Sequence, residues 1–306
     1  MTLKAAELCA GYGGLAKAIE EVFNAKTVWV SEFEEAPSKI LAHHWPDAPN
    51  HGDMTKIDWS AVEPVHVLGG GTPCQDLSAS GKRKGMTEGT RSNLWVNMRE
   101  AIAVIKPTYV VWENVTGAAS AKANSEVEHC PGCMGNPTDC NLRALGRVLG
   151  DLSDLGLDAE WRTVSAARHA GAVHGRSRIF VLAYARGVRG SKRDLPAGGS
   201  APGNNRTGLP HKPAKGHLRG ISWGRHRAYI ERWERIHGRA PSPFEFVGVK
   251  PRPAAAFGEW LMGNPVGWIT DVPGLSHQEK WKAIGNGVMP PQAIAALEDM
   301  LRSIHA

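Results

Sequence analysis

The sequence predicts an α/β protein: a doubly wound sheet that binds its ligands at the carboxyl ends of its strands, with a small irregular second domain. Three observations lead there. Short apolar runs, mostly β-branched or aromatic, recur at residues 5–8, 27–30, 65–68, 109–112 and 179–182, as buried parallel strands do. Helical spacing lies between them. The alternation then stops near Arg186, where twelve of the 35 residues to Gly220 are Gly or Pro, a composition no regular element tolerates. These breaks divide the chain into residues 1–185, a segment 186–250, and a C-terminal part 251–306 that returns to the first.

The elements follow in order. The run at 5–8 enters the glycines of "ELCAGYGGL" (residues 7–15), and Leu15, Ile19, Val22 and Phe23 then share one helical face. A strand feeding glycines and a helix is the geometry in which backbone approaches a ligand closely. The run at 27–30 ends beside Glu32, 18 positions after Gly14, near the distance at which such a carboxylate takes ribose hydroxyls. Gly11, Gly13 and Gly14 are spaced too tightly for G-x-G-x-x-G, which disfavours a dinucleotide oxidoreductase. Asp53, in "HGDM", is placed to meet the adenine of an adenosine. The run at 65–68 leads into "GGTPCQDLS", and the run at 109–112 into "VVWENV", whose Glu113 and Asn114 fall beside Cys74 because consecutive strands usually lie close. A partly desolvated carboxyl there can hold a proton and donate it to a ring nitrogen. Leu142, Leu145, Val148, Leu149, Leu152 and Leu155 mark a second helix. "HGRSRIFVLA" sets Arg176 and Arg178 on one side of an extended chain entering the last run. Beyond the irregular segment come a short helix from Tyr229 to Ile236, a Pro-rich hinge over 241–253, and helical spacing at Phe257, Trp260 and Leu261.

Composition bounds the function. A chain of 306 residues, 42% hydrophobic, can bury a substantial core. With no run of 18 apolar residues and no apolar leader after Met1, it is expected to be soluble and cytoplasmic, with no membrane partner. Five cysteines, an odd number, suit a reducing compartment. The net charge of +6 is segregated: Arg186 to Arg252 holds 15 Lys/Arg against 4 Asp/Glu. Such a segment suits a phosphate backbone, the alternative being a solvated basic loop. Cys74 reads either as a small buried hydrophobe or, beside Lys82, Arg83 and Lys84, as a thiol activated by positive neighbours.

Taken together, "ELCAGYGGL", "TPCQDLSASGKRKG", "RSNLW", "WENV", "HGRSRIFVLA" and "AIGNGV" stand in the order and approximate spacing of the motifs of DNA cytosine-5 methyltransferases. The chain resembles that family outside residues 118–140 and 186–250, in a compact form similar to phage or restriction-modification enzymes. The resemblance implies the Rossmann-like fold of S-adenosylmethionine-dependent methyltransferases and methylation of cytosine C5 in double-stranded DNA by a monomer. It implies that Cys74 adds to C6, that Glu113 holds N3, that Asn114 orders the adjoining turn, and that Arg176 and Arg178 lie near the base O2 and the catalytic loop, residues 75–91. For S-adenosylmethionine it implies Ala10, Gly11, Gly13 and Gly14 around the methionine part, Glu32 at the ribose, Asp53 at the adenine, Leu94 nearby, and Asn286 with Val288 completing the pocket. DNA contacts are expected at Gln75, Ser78, Ser80 and Lys82 of the loop. Others fall at Trp223, Arg225 and Arg227 of segment 186–250, the target-recognition domain by position. A base reached from both faces has to leave the duplex.

Three departures stand out. Cys9 occupies a position where the family has Phe, and His174 one where it has Gln. The insertion "EHCPGCMGNPTDC" carries Cys130, Cys133 and Cys140. Its Cys-x2-Cys spacing is that of a zinc knuckle, with His129 or a distant residue as fourth ligand. Three cysteines are one short of a closed structural site, and a Gly- and Pro-rich loop with reduced thiols is the other reading. The family resemblance also admits an RNA cytosine-5 methyltransferase or a DNA-binding relative without catalysis.

Overall fold

The structure, a computed structural model, describes residues 2–72, 94–119, 143–188, 222–247 and 249–306. Six strands form one sheet in the order β2-β1-β3-β4-β6-β5. They are β1 (Leu3–Leu8), β2 (Ala25–Ser31), β3 (Val67–Gly70), β4 (Tyr109–Val115), β5 (Leu157–Ser165) and β6 (Ser177–Ala185). β1 to β4 run parallel. β6 runs antiparallel to both β4 and β5.

Helices cover both faces, as the doubly wound reading expects. α1 (Gly14–Phe23) and α8 (Pro290–His305) bury Leu15, Ile19, Phe23, Leu297 and Met300 against Val67, Val111 and Phe180. On the other face α3 (Leu94–Ile105) and α4 (Ala144–Asp154) bury Trp95, Met98, Val148 and Leu152 against Leu8, Leu68, Trp112 and Val181. α8 alone sinks Ile294, Leu297, Met300, Leu301 and Ile304, each worth roughly 1.5–3 kcal/mol when fully buried. Strand β3 is shifted two residues beyond its apolar run because Gly69 and Gly70 belong to it: a Cβ on Gly70 would lie 2.9 Å from Met98 Sδ, so the glycine lets α3 close down on the sheet.

The basic segment and the C-terminal part together pack a third cluster. α5 (Arg227–His237), α6 (Ala255–Leu261) and α7 (His277–Asn286) gather Ile230, Trp233, Trp260 and Ile284 around Tyr12. α2 (Glu35–His44) adds Ile40 to it, and a two-stranded hairpin, β7 (Phe244–Val247) with β8 (Lys250–Pro253), stands outside the main sheet.

One expectation is corrected. The run at 179–182 was grouped with the parallel strands, yet β6 is antiparallel. The cause is β5, which the apolar reading passes over: only Leu157 and Val164 are buried, and Asp158, Glu160, Arg162 and Thr163 make it a polar edge strand. Residues 166–176 then join β5 to β6, too short a connection to hold a crossover helix, so the chain turns back beside β5.

Candidate active site

The antiparallel sense of β6 builds the site. A parallel β6 would start at the amino edge of the sheet, whereas the observed strand starts at the carboxyl edge and pairs Arg178 with Val115 at the end of β4. Glu113, two residues back on β4, is buried, and its Oε1 lies 3.1 Å from Arg178 Nε. Burial raises the Glu113 carboxyl above the usual carboxylate range, against the opposing pull of Arg178 and then Arg176. Asn114, also buried, donates from Nδ2 to the Thr72 carbonyl at 3.2 Å, and Trp112 Nε1 donates to Thr72 Oγ1 at 3.0 Å. The chain leaving β3 toward Cys74 is thereby fastened to the end of β4. A Cβ on Gly71 would lie 3.4 Å from Glu113 Oε2.

The glycine turn after β1 lies at the same edge. Cys9 takes a left-handed φ of 51°, at a cost of roughly 1–2 kcal/mol for an L-residue, and its thiol meets Met54 Sδ at 3.4 Å. Burial, then the nearby Glu32, Glu7 and Asp53, pushes that thiol up to about 12, so it stays protonated. Gly11 donates its amide to Glu32 Oε2 at 2.7 Å, and Glu34 donates to Oε1 at 2.8 Å. The Phe33 amide acts on the same carboxylate, which as a four-site acceptor keeps room for one ligand hydroxyl. Burial foremost raises the Glu32 carboxyl. Gly13 caps α1 at φ 80°, and a Cβ on Gly14 would run into the Val288 carbonyl. That carbonyl accepts the Tyr12 hydroxyl, so the turn and the strip 285–288 are held back to back. Ala10 is buried, Val288 half-buried and Asn286 exposed.

Asp53 accepts from Thr55 N and Oγ1 at 3.0 and 2.8 Å, which lowers its carboxyl. Its Oδ2 faces Lys56 at 3.6 Å. Leu94 opens α3 half-buried against the core. Arg176 departs from its neighbour: it donates to the Gly287 carbonyl at 2.8 Å and reaches that of Gly285 at 3.4 Å, clamping the C-terminal strip. His174 points Nε2 at the Leu261 carbonyl, 3.1 Å away, and burial lowers its basicity.

In the basic segment Trp223 stacks on Phe257 at 5.8 Å between ring centres, Arg227 pairs with Glu231 at 3.0 Å, and Arg225 is exposed. Cys74, Gln75, Ser78, Ser80 and Lys82 lie outside the described residues, as do Cys130, Cys133 and Cys140. Among the described residues no group of three His, Cys, Asp or Glu could hold a metal ion, and no helix is long and apolar enough to cross a membrane.

Sequence reading missed several supports. Glu7 is buried on β1 and accepts the Ala16 amide at 2.7 Å, tying the strand to the first turn of α1. Glu259 accepts amides of Gly267, Ile269 and Thr270 at 2.7–2.8 Å, ordering a loop whose Trp268 donates to the Tyr12 carbonyl at 3.0 Å. Gln292 bonds the carbonyls of Val164 and Arg176. Their only sequence signal is a carboxylate or amide set among apolar residues.

Glu7 has a measurable consequence. Burial holds its carboxyl well above the ordinary range, and Glu32, Glu113 and Glu20 push the same way. The folded state therefore keeps a proton that the unfolded chain releases, and this contribution to stability is lost as pH rises from the ordinary carboxylate range through the elevated folded value. Glu7→Gln, which keeps an acceptor for Ala16, should flatten that decline in denaturant unfolding measured across pH. An unchanged slope would mean that Glu7 is ionised in the fold.

Residues 3–201 match the family model of the C-5 cytosine-specific DNA methylases, more than half of the chain. The chain belongs to that family. Among similar proteins, the DNA N-6-adenine-methyltransferase of Escherichia phage P1 is 37% identical over 39% of this chain and 18% of its own length. The type II methyltransferase M.NlaIV of Neisseria lactamica is 30% identical over 63% of this chain and 43% of its own length. The chain thus spans less than half the length of either relative. The S. pombe Dnmt2 methyltransferase superposes with a TM-score of 0.60 at 13% identity, covering 99% of this chain and all of the other. That likeness shows the methylase fold: a six-stranded, mostly parallel sheet between helical layers.

Proposed function

We propose that this methylase transfers the methyl group of S-adenosylmethionine to C5 of cytosine in duplex DNA. The observation that carries the reading is the pair between buried Glu113 and half-buried Arg178, with neighbouring Asn114 bonded to Thr72, two residues before Cys74 in the sequence. Cys74 follows Thr72 by two residues in the sequence, and its thiol and the Glu113 carboxyl are assigned to one ring. The cytosine leaves the stack, at a cost of a few kcal/mol. Cys74 thiolate bonds to C6 while Glu113, its carboxyl raised by burial, gives N3 a proton. C5, now enamine-like, takes the methyl carbon as its bond to sulfur breaks. Loss of the C5 proton to a base, then of the thiolate from C6, restores the ring, and N3 returns its proton to Glu113.

The residues present fit the methyl donor. Glu32, with acceptor capacity left beyond its backbone amides, suits the ribose; Asp53, with Oδ2 facing Lys56, suits the adenine amine; and the backbone of residues 10–14 with Val288 borders the methionine part. Bound there, S-adenosylmethionine supplies an electrophilic methyl group. Target choice is assigned to segment 186–250, with exposed Arg225 as a contact; Arg227 engages Glu231 and Trp223 engages Phe257.

The phage P1 relative is named for adenine N6, a nitrogen whose methylation needs no covalent thiol. The Glu113–Arg178 pair, with Asn114 tied to Thr72 shortly before Pro73-Cys74 in the sequence, favours cytosine. Nucleoside analysis of DNA from expressing cells should show new 5-methylcytosine, and bisulfite sequencing should place it in one short target. New N6-methyladenine without 5-methylcytosine would overturn the reading.

A further inference from the structure

The face of β5 away from α8 carries an open pocket of about 420 Å³, lined by Thr163, Ser165, Arg168, His169, Gly175 and Ser177. It has no part in the site described above. Side chains alternate along a strand, and β5 sorts its residues accordingly: Glu160 and Arg162 form ion pairs on one face, Arg162 reaching Asp299 of α8 at 2.7 Å, while Thr163 and Ser165 point the other way. The pocket is left with one permanent cation, one imidazole, three hydroxyls and no carboxylate among its lining residues. Such a set, with an arginine and no carboxylate, matches a phosphate group.

Two further observations orient it. His169 Nδ1 lies 3.0 Å from the Ser165 amide and 3.1 Å from the Ser165 carbonyl, so the ring is held against the end of β5. Arg168 and His169 sit on a single π-helical turn, Ala166–Ala170, whose Ala167 carbonyl accepts from Arg232 of α5 at 3.0 Å. The turn is thus fixed between the sheet and the basic segment. Ser177 pairs with Ser165 and directly precedes Arg178, placing the pocket at the carboxyl edge of the sheet, one residue from the arginine that holds Glu113.

We propose that this pocket seats one backbone phosphate of the DNA duplex, fixing the duplex relative to the Glu113–Arg178 pair. The inference rests on the reading of DNA as substrate. Arg168 supplies charge, the hydroxyls of Thr163, Ser165 and Ser177 with the His169 ring supply polar groups, and neither Arg168 nor His169 belongs to the catalytic or methyl-donor machinery. Phosphate contacts position a duplex and carry no sequence information.

The test is duplex binding by fluorescence anisotropy against salt, for wild type, Arg168→Gln and Arg168→Lys. Arg168→Gln should weaken binding severalfold, equally for target and non-target duplexes, and lower the slope of log K against log salt by about one. Arg168→Lys should keep the slope. Unchanged S-adenosylmethionine affinity and thermal midpoint would separate this from a structural role. If wild type binds duplex and Arg168→Gln has the same affinity and slope, the pocket assignment falls alone. If wild type binds no duplex, the DNA reading falls and takes this inference with it. Saturable binding of inorganic phosphate, read from His169 ring resonances and abolished by Arg168→Gln, together with an unchanged DNA slope, would give the pocket to a free anion and overturn the proposal.

Discussion

Cys74→Ala should abolish methyl transfer while leaving duplex binding intact. Cytosine C5 is too weak a nucleophile to take a methyl group unaided, so the proposed reaction depends on addition at C6, the step assigned to the Cys74 thiolate. Loss of a covalent nucleophile elsewhere lowers turnover on the order of 10⁴–10⁶-fold, and an effect of that size is expected here. The fold should be untouched, because the anchoring bonds at this end of β3 belong to Thr72, Trp112 and Asn114. A duplex carrying 5-fluorocytosine at the target supplies the positive control: with no C5 proton to lose, wild type should stay covalently attached and run as a shifted band in denaturing gels, and the alanine variant should not. Undiminished turnover by Cys74→Ala would sink the covalent mechanism.

How much of this was legible in the sequence depends on whether a signal was local. Strands β1 to β4 announce themselves as apolar runs because both their faces are covered, and the residues closing them, Glu32 and Glu113, were found for the same reason: each stands where a run ends. β5 gave no such signal, since an edge strand with one wet face carries Asp158, Glu160 and Arg162 among few apolar residues. Missing β5 also concealed the direction of β6, and with it the way Arg178 reaches Glu113. Arg176 and Arg178 look equivalent at a spacing of two, yet one clamps the carbonyls of residues 285 and 287 and the other faces a carboxylate. That division is set by partners distant in sequence, 109 and 111 residues from Arg176 and, for Arg178, on another strand at Glu113. Tyr12, whose hydroxyl secures the Val288 carbonyl, was likewise hidden: between glycines an aromatic looks like ordinary core.

Glu113→Gln should lower kcat/KM by about 10²–10⁴-fold, the range for a positioned acid, and it should alter the pH profile as well. Glutamine keeps the size and a donor for the ring but cannot deliver a proton to N3. On the proposed mechanism the acid form is the active one, and burial raises the carboxyl above the usual carboxylate range. Activity should therefore fall as pH rises through the elevated Glu113 value, and that alkaline fall should disappear in Glu113→Gln. Arg178 provides the internal control. Its guanidinium, 3.1 Å from Oε1, is the largest influence lowering the Glu113 carboxyl. With Arg178→Gln the carboxyl should rise further and the alkaline limb should move to higher pH, even though turnover drops because the carboxyl is no longer held in place. The two variants thus make opposite demands on one curve: the limb is lost in the first and displaced upward in the second. A limb that stays put in both would show that another group titrates there, and Glu113 would then be a structural partner of Arg178 and not the acid that prepares the ring for attack.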